Sequence, residues 1–548
     1  MAQIVKLQAD GLTALRDMNE RLVSYNVEMT EVTGGTFWTA YTEAQIDGTE
    51  QVPPPDFSKG MASMHQWYDP IDTTNPRLIK LAKELGSCWV RVSGTWATRT
   101  YYDFEDQYPA GTAPEGYQNV LKKQQWINLL NFVKAVNGKL KISVANCDGL
   151  HSAEEPWKPS QAEKIFALSK EHGVPVEAVE FVNEPNMMQN TGFPKGYTPA
   201  HFRRDQDIFH KWVRENYPEC LIVGPSDTDP KAMTQDPDGN PYNAEAGGAG
   251  IADALPYCTT AELLDGCTEK LDVFSYHYYN GVSERMAALA PGSFTPAEGA
   301  LSEKYLGMAG LCARCFGPYR DKYCPGGEMW VTESGDAGAG GHTWASTYLE
   351  VPRELNEFGD FSTVTNGVIF HNTLASSDYG YLKHGTYEPR PSYFAALLWK
   401  RLMGNTVYAS GEPVREGARV YAHSRKDGKP GYVYLVINNS WTETTTVELP
   451  KEAQVYALTG NGKLRSRTML LNGKELALGE NDELPELVPV TAEGTLEVIP
   501  GGCTFIVVYF CCKYKRRTVN AVRLSFVHLC LGREKPRFRN NLLCRGGS

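Results

Sequence analysis

The chain has 548 residues, 42% hydrophobic and 22% charged, with a net charge of −11, a composition that excludes collagen, coiled coil and whole-chain disorder and needs no disulfide or metal to fold. The charge is uneven: residues 511–548 carry ten Lys/Arg against the single acid Glu534, leaving a balance of −20 on the first 510 residues. Such an acidic body argues against nucleic acid as a partner and against a polyanion gripped along its length, because those contacts are made by Lys and Arg. No apolar run reaches the ~18 residues of a membrane span; the longest, from Cys503 to Cys512, is strand-sized. The first residues hold no apolar signal core, so the chain is expected to be intracellular or numbered without its leader. Its 13 cysteines are an odd count in no regular framework and set no compartment.

In chain order, Ala2–Gln8 reads as a lone strand, placed to return to a distant sheet. Residues 30–400 then alternate eight short apolar runs with helical patterns. The runs are Gly34–Ala40, Trp89–Gly94, Leu140–Asn146, Ala178–Glu184, Leu221–Ser226, Leu271–Tyr279, Glu328–Gly335 and Gly367–Leu374. Helices are predicted over Pro76–Leu85, Gln124–Val136, Ser160–His172 and Ala200–Glu215, with Pro76 and Pro159 near starts and Gly86, Gly138 and Gly173 after ends. Eight such alternations predict a (β/α)8 TIM barrel over 27–403; an open doubly wound sheet is the alternative. After Lys400, strand-like runs separated by Asp-Gly, Asn-Gly and Gly-Gly turns predict a β-sandwich over 404–510, with segment 1–26 contributing its strand. Residues 511–548 read as an appended, poorly ordered basic stretch; a nucleic-acid or membrane-surface tail is the competing reading.

In a β/α barrel the active site lies where strands end. The fourth run ends in Asn183-Glu184-Pro185 and the seventh in Glu333. A carboxylate at such a position is costly unless it is hydrogen-bonded or used. Each alone could cap a helix or form an ion pair. Two that converge across a barrel mouth are what glycoside hydrolysis requires, one protonated to release the leaving oxygen and one ionised to attack.

Six blocks in order carry a resemblance. They are Arg91-Val92-Ser93-Gly94-Thr95, Phe181-Val182-Asn183-Glu184-Pro185-Asn186, Ser275-Tyr276-His277-Tyr278-Tyr279-Asn280-Gly281, Trp330-Val331-Thr332-Glu333-Ser334 with Gly338–Gly341, Asp378-Tyr379-Gly380-Tyr381, and Pro391–Trp399. Asn-Glu-Pro with a strand-seven Glu resembles the clan A retaining glycosidases, and the six blocks together resemble glycoside hydrolase family 79, the heparanase and β-glucuronidase family, from about Val27 to about Val508. The resemblance implies Glu184 as acid/base, Glu333 as nucleophile, Asn183 on the sugar 2-hydroxyl, Tyr278 beside the nucleophile and Thr95 lining a subsite. It also implies that Tyr379, with backbone around Gly340, grips the glucuronate carboxylate. Ala339 stands where the family leads one to expect glycine, and the stretch Cys147–Glu155 is acidic, which argues against an endo enzyme for heparan sulfate.

Other features carry less. Cys312-Ala313-Arg314-Cys315 with Cys324 lacks a fourth zinc ligand and reads as thiols or one local disulfide; Cys258 and Cys267 read as buried thiols. His277 could line the pocket or serve the barrel, and His342 and His371 are similar cases. No GxGxxG, P-loop or GxSxG occurs, so no cofactor and no metal are expected. The expected function is an exo-acting retaining β-glucuronidase acting on a glucuronic-acid-containing glycan or glycoside. A xylosidase- or glucosidase-type clan A enzyme, an endo-β-glucuronidase and a non-catalytic carbohydrate-binding protein are the other readings.

Overall fold

The computed structural model describes residues 3–109, 111–189, 191–240, 257–414 and 417–510. The basic stretch of residues 511–548 lies outside the described residues. No helix among the described residues is long and apolar enough to cross a membrane.

Eight parallel strands close a barrel: Val23–Glu28, Trp89–Ser93, Lys139–Ser143, Val176–Glu180, Leu221–Asp227, Val273–Tyr279, Glu328–Gly335 and Gly367–His371. The first differs from expectation. The apolar run at Gly34–Ala40 is not a barrel strand; its Gly35–Trp38 pairs antiparallel with His65–Tyr68 in a two-stranded sheet whose Trp38 and His65 line the central cavity. The true first strand was hidden by its polar residues. Ser24 Oγ accepts the Trp89 N–H at 2.8 Å and Asn26 Nδ2 donates to the Thr332 carbonyl at 3.1 Å, so polar side chains are satisfied across the barrel where an apolar run would be expected. The barrel therefore begins before residue 27.

Helices cover the outside. Pro76–Glu84 starts on Asn75, whose Oδ1 accepts the Arg77 and Leu78 N–H groups, with Pro76 pre-set at the first helical position. Glu303–Tyr323, of 21 residues, carries Cys312 and Cys315, and Cys324 caps it; all three are buried. Cys258 is also buried and Cys267 half-buried, both free, flanking the short helix Thr260–Leu264.

The barrel interior is layered. An apolar floor joins Trp89, Ala178, Val223, Val273, Trp330, Val368 and Phe370. Two residues further along the second, third and fourth strands stand Arg91, Lys141 and Glu180, all with fully buried side chains. Arg91 Nη2 meets Glu180 Oε1 at 2.7 Å and Lys141 Nζ meets its other oxygen. Ser93 Oγ donates to Glu180 at 2.7 Å and Ser226 Oγ donates to it at 2.5 Å. Burial opposes the Glu180 charge, but the Arg91 and Lys141 cations outweigh it and hold this carboxyl far below the ordinary range.

The sandwich packs a nine-stranded sheet against a three-stranded one. Their shared core includes Val5, Val420, Tyr434, Val447, Ile506 and Val508. Gln3–Lys6 lies parallel to Thr445–Glu448 in the smaller sheet, and Ala14–Asp17 pairs with Met403–Tyr408 at the end of the larger one. The sandwich meets the barrel helices through Arg419, whose Nη1 contacts Glu303 at 2.6 Å and whose Nη2 contacts Asp360 at 2.9 Å, and through Tyr421, which donates to Asn356 at 2.7 Å.

Removing the Glu180 carboxylate leaves the buried Lys141 cation unpaired and Arg91 with Glu333 alone, so Glu180→Leu should lower the unfolding free energy by about 3–5 kcal/mol. Urea denaturation followed by tryptophan fluorescence measures this; a loss below 1 kcal/mol would contradict the role assigned to the ion cluster.

Candidate active site

Glu184 follows the fourth strand by four residues. Pro185 disfavours right-handed helix for it, and it takes φ +45°, ψ 55°, at the start of the single turn Pro185–Met187. Its N–H donates to the Ser226 carbonyl at 3.2 Å, tying this unusual conformation to the next strand. A non-glycine residue held there costs of order 1–3 kcal/mol and persists only where surroundings enforce it.

Glu333 reaches the interior through an irregularity. Register shifts interrupt the seventh strand's pairing with both neighbours, between Tyr276 and His277 on one side and between Val331 and Ser334 on the other. Thr332 and Glu333 consequently both face inward: Thr332 Oγ1 donates to Ser226 Oγ at 3.0 Å, and Glu333 Oε1 accepts from Arg91 Nη1 at 2.9 Å. Arg91 also donates to Asn183 Oδ1 at 2.6 Å, so one guanidinium fixes the buried anion Glu180, Glu333 and the residue preceding Glu184.

His277 stands between the carboxylates. Its Nδ1 is 3.1 Å from Glu184 Oε1 and 3.6 Å from Glu333 Oε2, and its Nε2 is 3.5 Å from Arg91 Nη2. Tyr279 donates to Glu333 Oε2 at 2.8 Å. Burial acts to raise the Glu333 carboxyl, but His277, Arg91 and the hydrogen bonds from Tyr279 and Arg91 outweigh it and hold it below the ordinary value. One carboxylate oxygen of each glutamate and a His277 nitrogen lie within 4.8 Å of one another. Among the described residues this is the one group spaced to hold a metal ion, but the Arg91 cation beside it opposes a second positive charge.

The cavity around this pair has a volume of about 310 Å³. Thr95, Asn183, Glu184, Tyr278, Glu333 and Tyr379 all line it; Gly340 does not, although its neighbours Gly338 and Ala339 do. The tyrosine beside Glu333 is Tyr279, not Tyr278. With His277 inward, strand alternation turns Tyr278 outward, where the carboxyl of Glu357 and the guanidinium of Arg353 act on its buried hydroxyl. Alternation counted from inward Val273 contains this information.

Ala339, Gly340 and Gly341 have successive positive φ values of +64°, +86° and +84°. Ala339 thus keeps the left-handed conformation that glycine favours, at a cost of about 1 kcal/mol. Arg285 pins the turn, donating to the carbonyls of Ala339 and Gly341 at 3.1 Å each and to Asp378 Oδ2 at 2.7 Å while stacking 3.6 Å over Tyr41. With its carbonyls held behind, such a turn leaves N–H groups free to converge on an anion. Tyr379 stands beside it, stacked on Tyr279 at 6.4 Å, and Asn372 Nδ2 donates to both hydroxyls at 3.1 and 2.9 Å.

Glu28, His277, Tyr279 and Asn372 complete the cavity wall, with Arg91 behind it, and sequence reasoning gave them no definite role. Glu28 was missed because its strand was. Burial, then the Glu333 charge, push its carboxyl well above the ordinary value despite Arg91. Gly94 makes room for it: a Cβ there would sit 1.6 Å from Glu28 Oε2. A protonated Glu28 can donate a hydrogen bond to a bound hydroxyl where a carboxylate could not.

No protein-family model matches the chain. Heparanase-like protein 1 of Arabidopsis thaliana is 24% identical over 490 residues, covering 80% of this chain and 84% of that one. The hyaluronoglucuronidase of Hirudo nipponia is 25% identical over 490 residues, covering 80% and 90%. Among solved structures, a 4-O-α-L-rhamnosyl-β-D-glucuronidase from Fusarium oxysporum superposes with a TM-score of 0.58 at 13% identity, over 92% of this chain and all of that one, a likeness of fold. The chain is a homologue of the heparanase-like proteins and glucuronidases, the family 79 type that its six sequence blocks resemble, and it shares its fold with a solved glucuronidase.

Proposed function

We propose that this glucuronidase-type glycoside hydrolase homologue is a retaining β-glucuronidase that removes terminal β-linked glucuronic acid. The observation that carries the reading is the approach of Glu184 and Glu333 to within 4.8 Å, with His277 and Arg91 holding Glu333 ionised. Retaining enzymes keep their carboxyls ~5–5.5 Å apart, whereas inverting ones leave ~6.5–9.5 Å for a water. In the first step Glu333 attacks the anomeric carbon while Glu184 gives its proton to the leaving oxygen, and a glycosyl ester forms on Glu333. In the second, the Glu184 carboxylate takes a proton from water, which displaces Glu333 and returns the β-anomer. Asn183, fixed by Arg91, stands to hold the sugar 2-hydroxyl.

The glucuronate carboxylate is assigned to the Tyr379 hydroxyl and the N–H groups of the turn at Ala339 and Gly340. These can hold an anion by directed dipoles without a counter-charge. Exo action is supported by the wall behind that turn. A Cβ on Gly340 would lie 2.7 Å from Trp38, and Phe37, Trp38, Met61 and His65 line the same cavity. A sugar seated on the turn has this aromatic wall beyond it, with little room for a further residue.

Nitrophenyl β-glucuronide should be turned over in preference to the β-xyloside and β-glucoside, with β-glucuronic acid as first product by NMR; preference for a neutral sugar would sink the assignment. Glu333→Gln should lower kcat at least 10³-fold with an unchanged melting temperature, because the ester cannot form. Glu184→Ala should slow poor leaving groups far more than nitrophenol, with azide restoring turnover as the glycosyl azide. The Tyr279 hydroxyl stabilises ionised Glu333, so Tyr279→Phe should raise the carboxyl's pKa and move the acid limb of kcat/KM to higher pH by about one unit. An unmoved limb would show that Glu333 does not set it.

A further inference from the structure

Arg99 is the one Lys or Arg among the described residues lining the cavity. The other guanidiniums near the site are spoken for: Arg91 by Glu180 and Glu333, Arg285 by Asp378. Arg99 has no carboxylate or carbonyl partner among the described residues, and its buried Nε makes no hydrogen bond. Burial lowers its pKa, and the one group acting to raise it is the thiol of Cys147.

It is nevertheless held in place. The Thr98 carbonyl accepts from Asn146 N–H at 2.9 Å and the Arg99 carbonyl from Gln118 N–H at 2.8 Å. The loop after the fourth strand closes over its stem: a Cβ on Gly192, at φ +84°, would lie 2.1 Å from Arg99 Cδ. A fixed, half-buried cation facing a cavity without a counter-ion is costly unless a ligand supplies the charge.

Topology tells which part of a substrate it would meet. The carboxylate grip comes from loops after the seventh and eighth strands, whereas Arg99 follows the second strand and packs against the loop after the fourth, on Glu184's side. Glu184 is the group that protonates the leaving oxygen, so the leaving group lies on this side. The remaining lining there is mostly apolar, with Met187, Pro230, Met233, Met308 and Phe316. We infer that Arg99 is an anion-binding subsite for the leaving group, selecting glucuronides whose aglycone carries a carboxylate or sulfate on a compact aromatic body. This rests on the glucuronidase reading for its sugar but not for its anion.

The test compares full-length wild type, Arg99→Gln and Arg99→Lys. For each, kcat/KM is measured on 4-carboxyphenyl and 4-nitrophenyl β-glucuronide and on a hyaluronan-type tetrasaccharide, and calorimetry follows binding of 4-hydroxybenzoate against phenol. A charge-assisted hydrogen bond is worth about tenfold or more, so Arg99→Gln should lower the carboxyphenyl-to-nitrophenyl ratio of kcat/KM by at least that factor, with Arg99→Lys recovering part of it. Wild type should bind 4-hydroxybenzoate more tightly than phenol, and Arg99→Gln should erase the difference. Equal loss on both aryl substrates, or no wild-type preference for the benzoate, overturns the subsite. An Arg99-dependent preference for the tetrasaccharide overturns the aromatic assignment. If no glucuronide is hydrolysed, the glucuronidase reading fails while the benzoate comparison still decides the role of Arg99.

Discussion

One buried guanidinium organises this molecule's chemistry. Arg91 has no exposed side-chain surface and spends its donors on Glu180, Glu333 and Asn183. It is stable there only because the Glu180 carboxylate, shared with Lys141, supplies the opposite charge and Ser93 and Ser226 satisfy that carboxylate's remaining lone pairs. Such an ion cluster adds little net stability over an apolar core, but losing one member is expensive. What it secures is position. Three barrel strands and the residue before Glu184 are tied to one planar group, and the Glu333 carboxylate is presented ionised to the cavity.

The same logic explains why the barrel interior departs from stacked aliphatic layers. Its floor is apolar, with Trp89 and Trp330 in contact at 4.9 Å between ring centres. One layer up, serines and a threonine replace the bulky branched residues usual in this fold. They are short enough to leave room for Arg91 and Lys141 and polar enough to bond Glu180, as Ser93 and Ser226 do, or one another. Above that layer the cavity holds Glu28, Glu184, Glu333 and His277 together, and differing surroundings separate the carboxyls. Glu333 is pulled down by cationic and hydrogen-bonding neighbours, while Glu28, with an unpartnered oxygen, is pushed up. Anion recognition at two places in the cavity would then use different means, oriented dipoles at the Ala339 turn and a full charge at Arg99.

Local signals in the chain carried the architecture because each strand–helix unit announces itself. Pro76 after Asn75 starts a helix, Gly86 and Gly173 follow helix ends, and apolar runs end in chemistry-bearing residues. Glu184 and Glu333 were legible for the same reason: a carboxylate at the end of an apolar strand is expensive, and two of them imply a use. The first strand was not legible, because Ser24, Asn26 and Glu28 find partners on other strands and so need not be apolar. Its loss concealed Glu28. Tyr278 and Tyr279 could not be told apart by type, only by counting alternation from Val273.

Sequence alone thus determined the class of fold and the two carboxylates, since both follow from local periodicity and from the cost of placing charge at a strand end. Tertiary structure decided everything that depends on register and long-range pairing. It brought Arg91 to Glu333 across 242 positions of chain, turned Glu333 inward through irregular pairing on both sides, and chose Tyr279 over its neighbour. It also left Arg99 without a counter-charge among the described residues, in a cavity built from seven separate strand ends. No window of residues contains these facts, because hydrogen bonds and ion pairs act over a few ångströms in space regardless of distance along the chain.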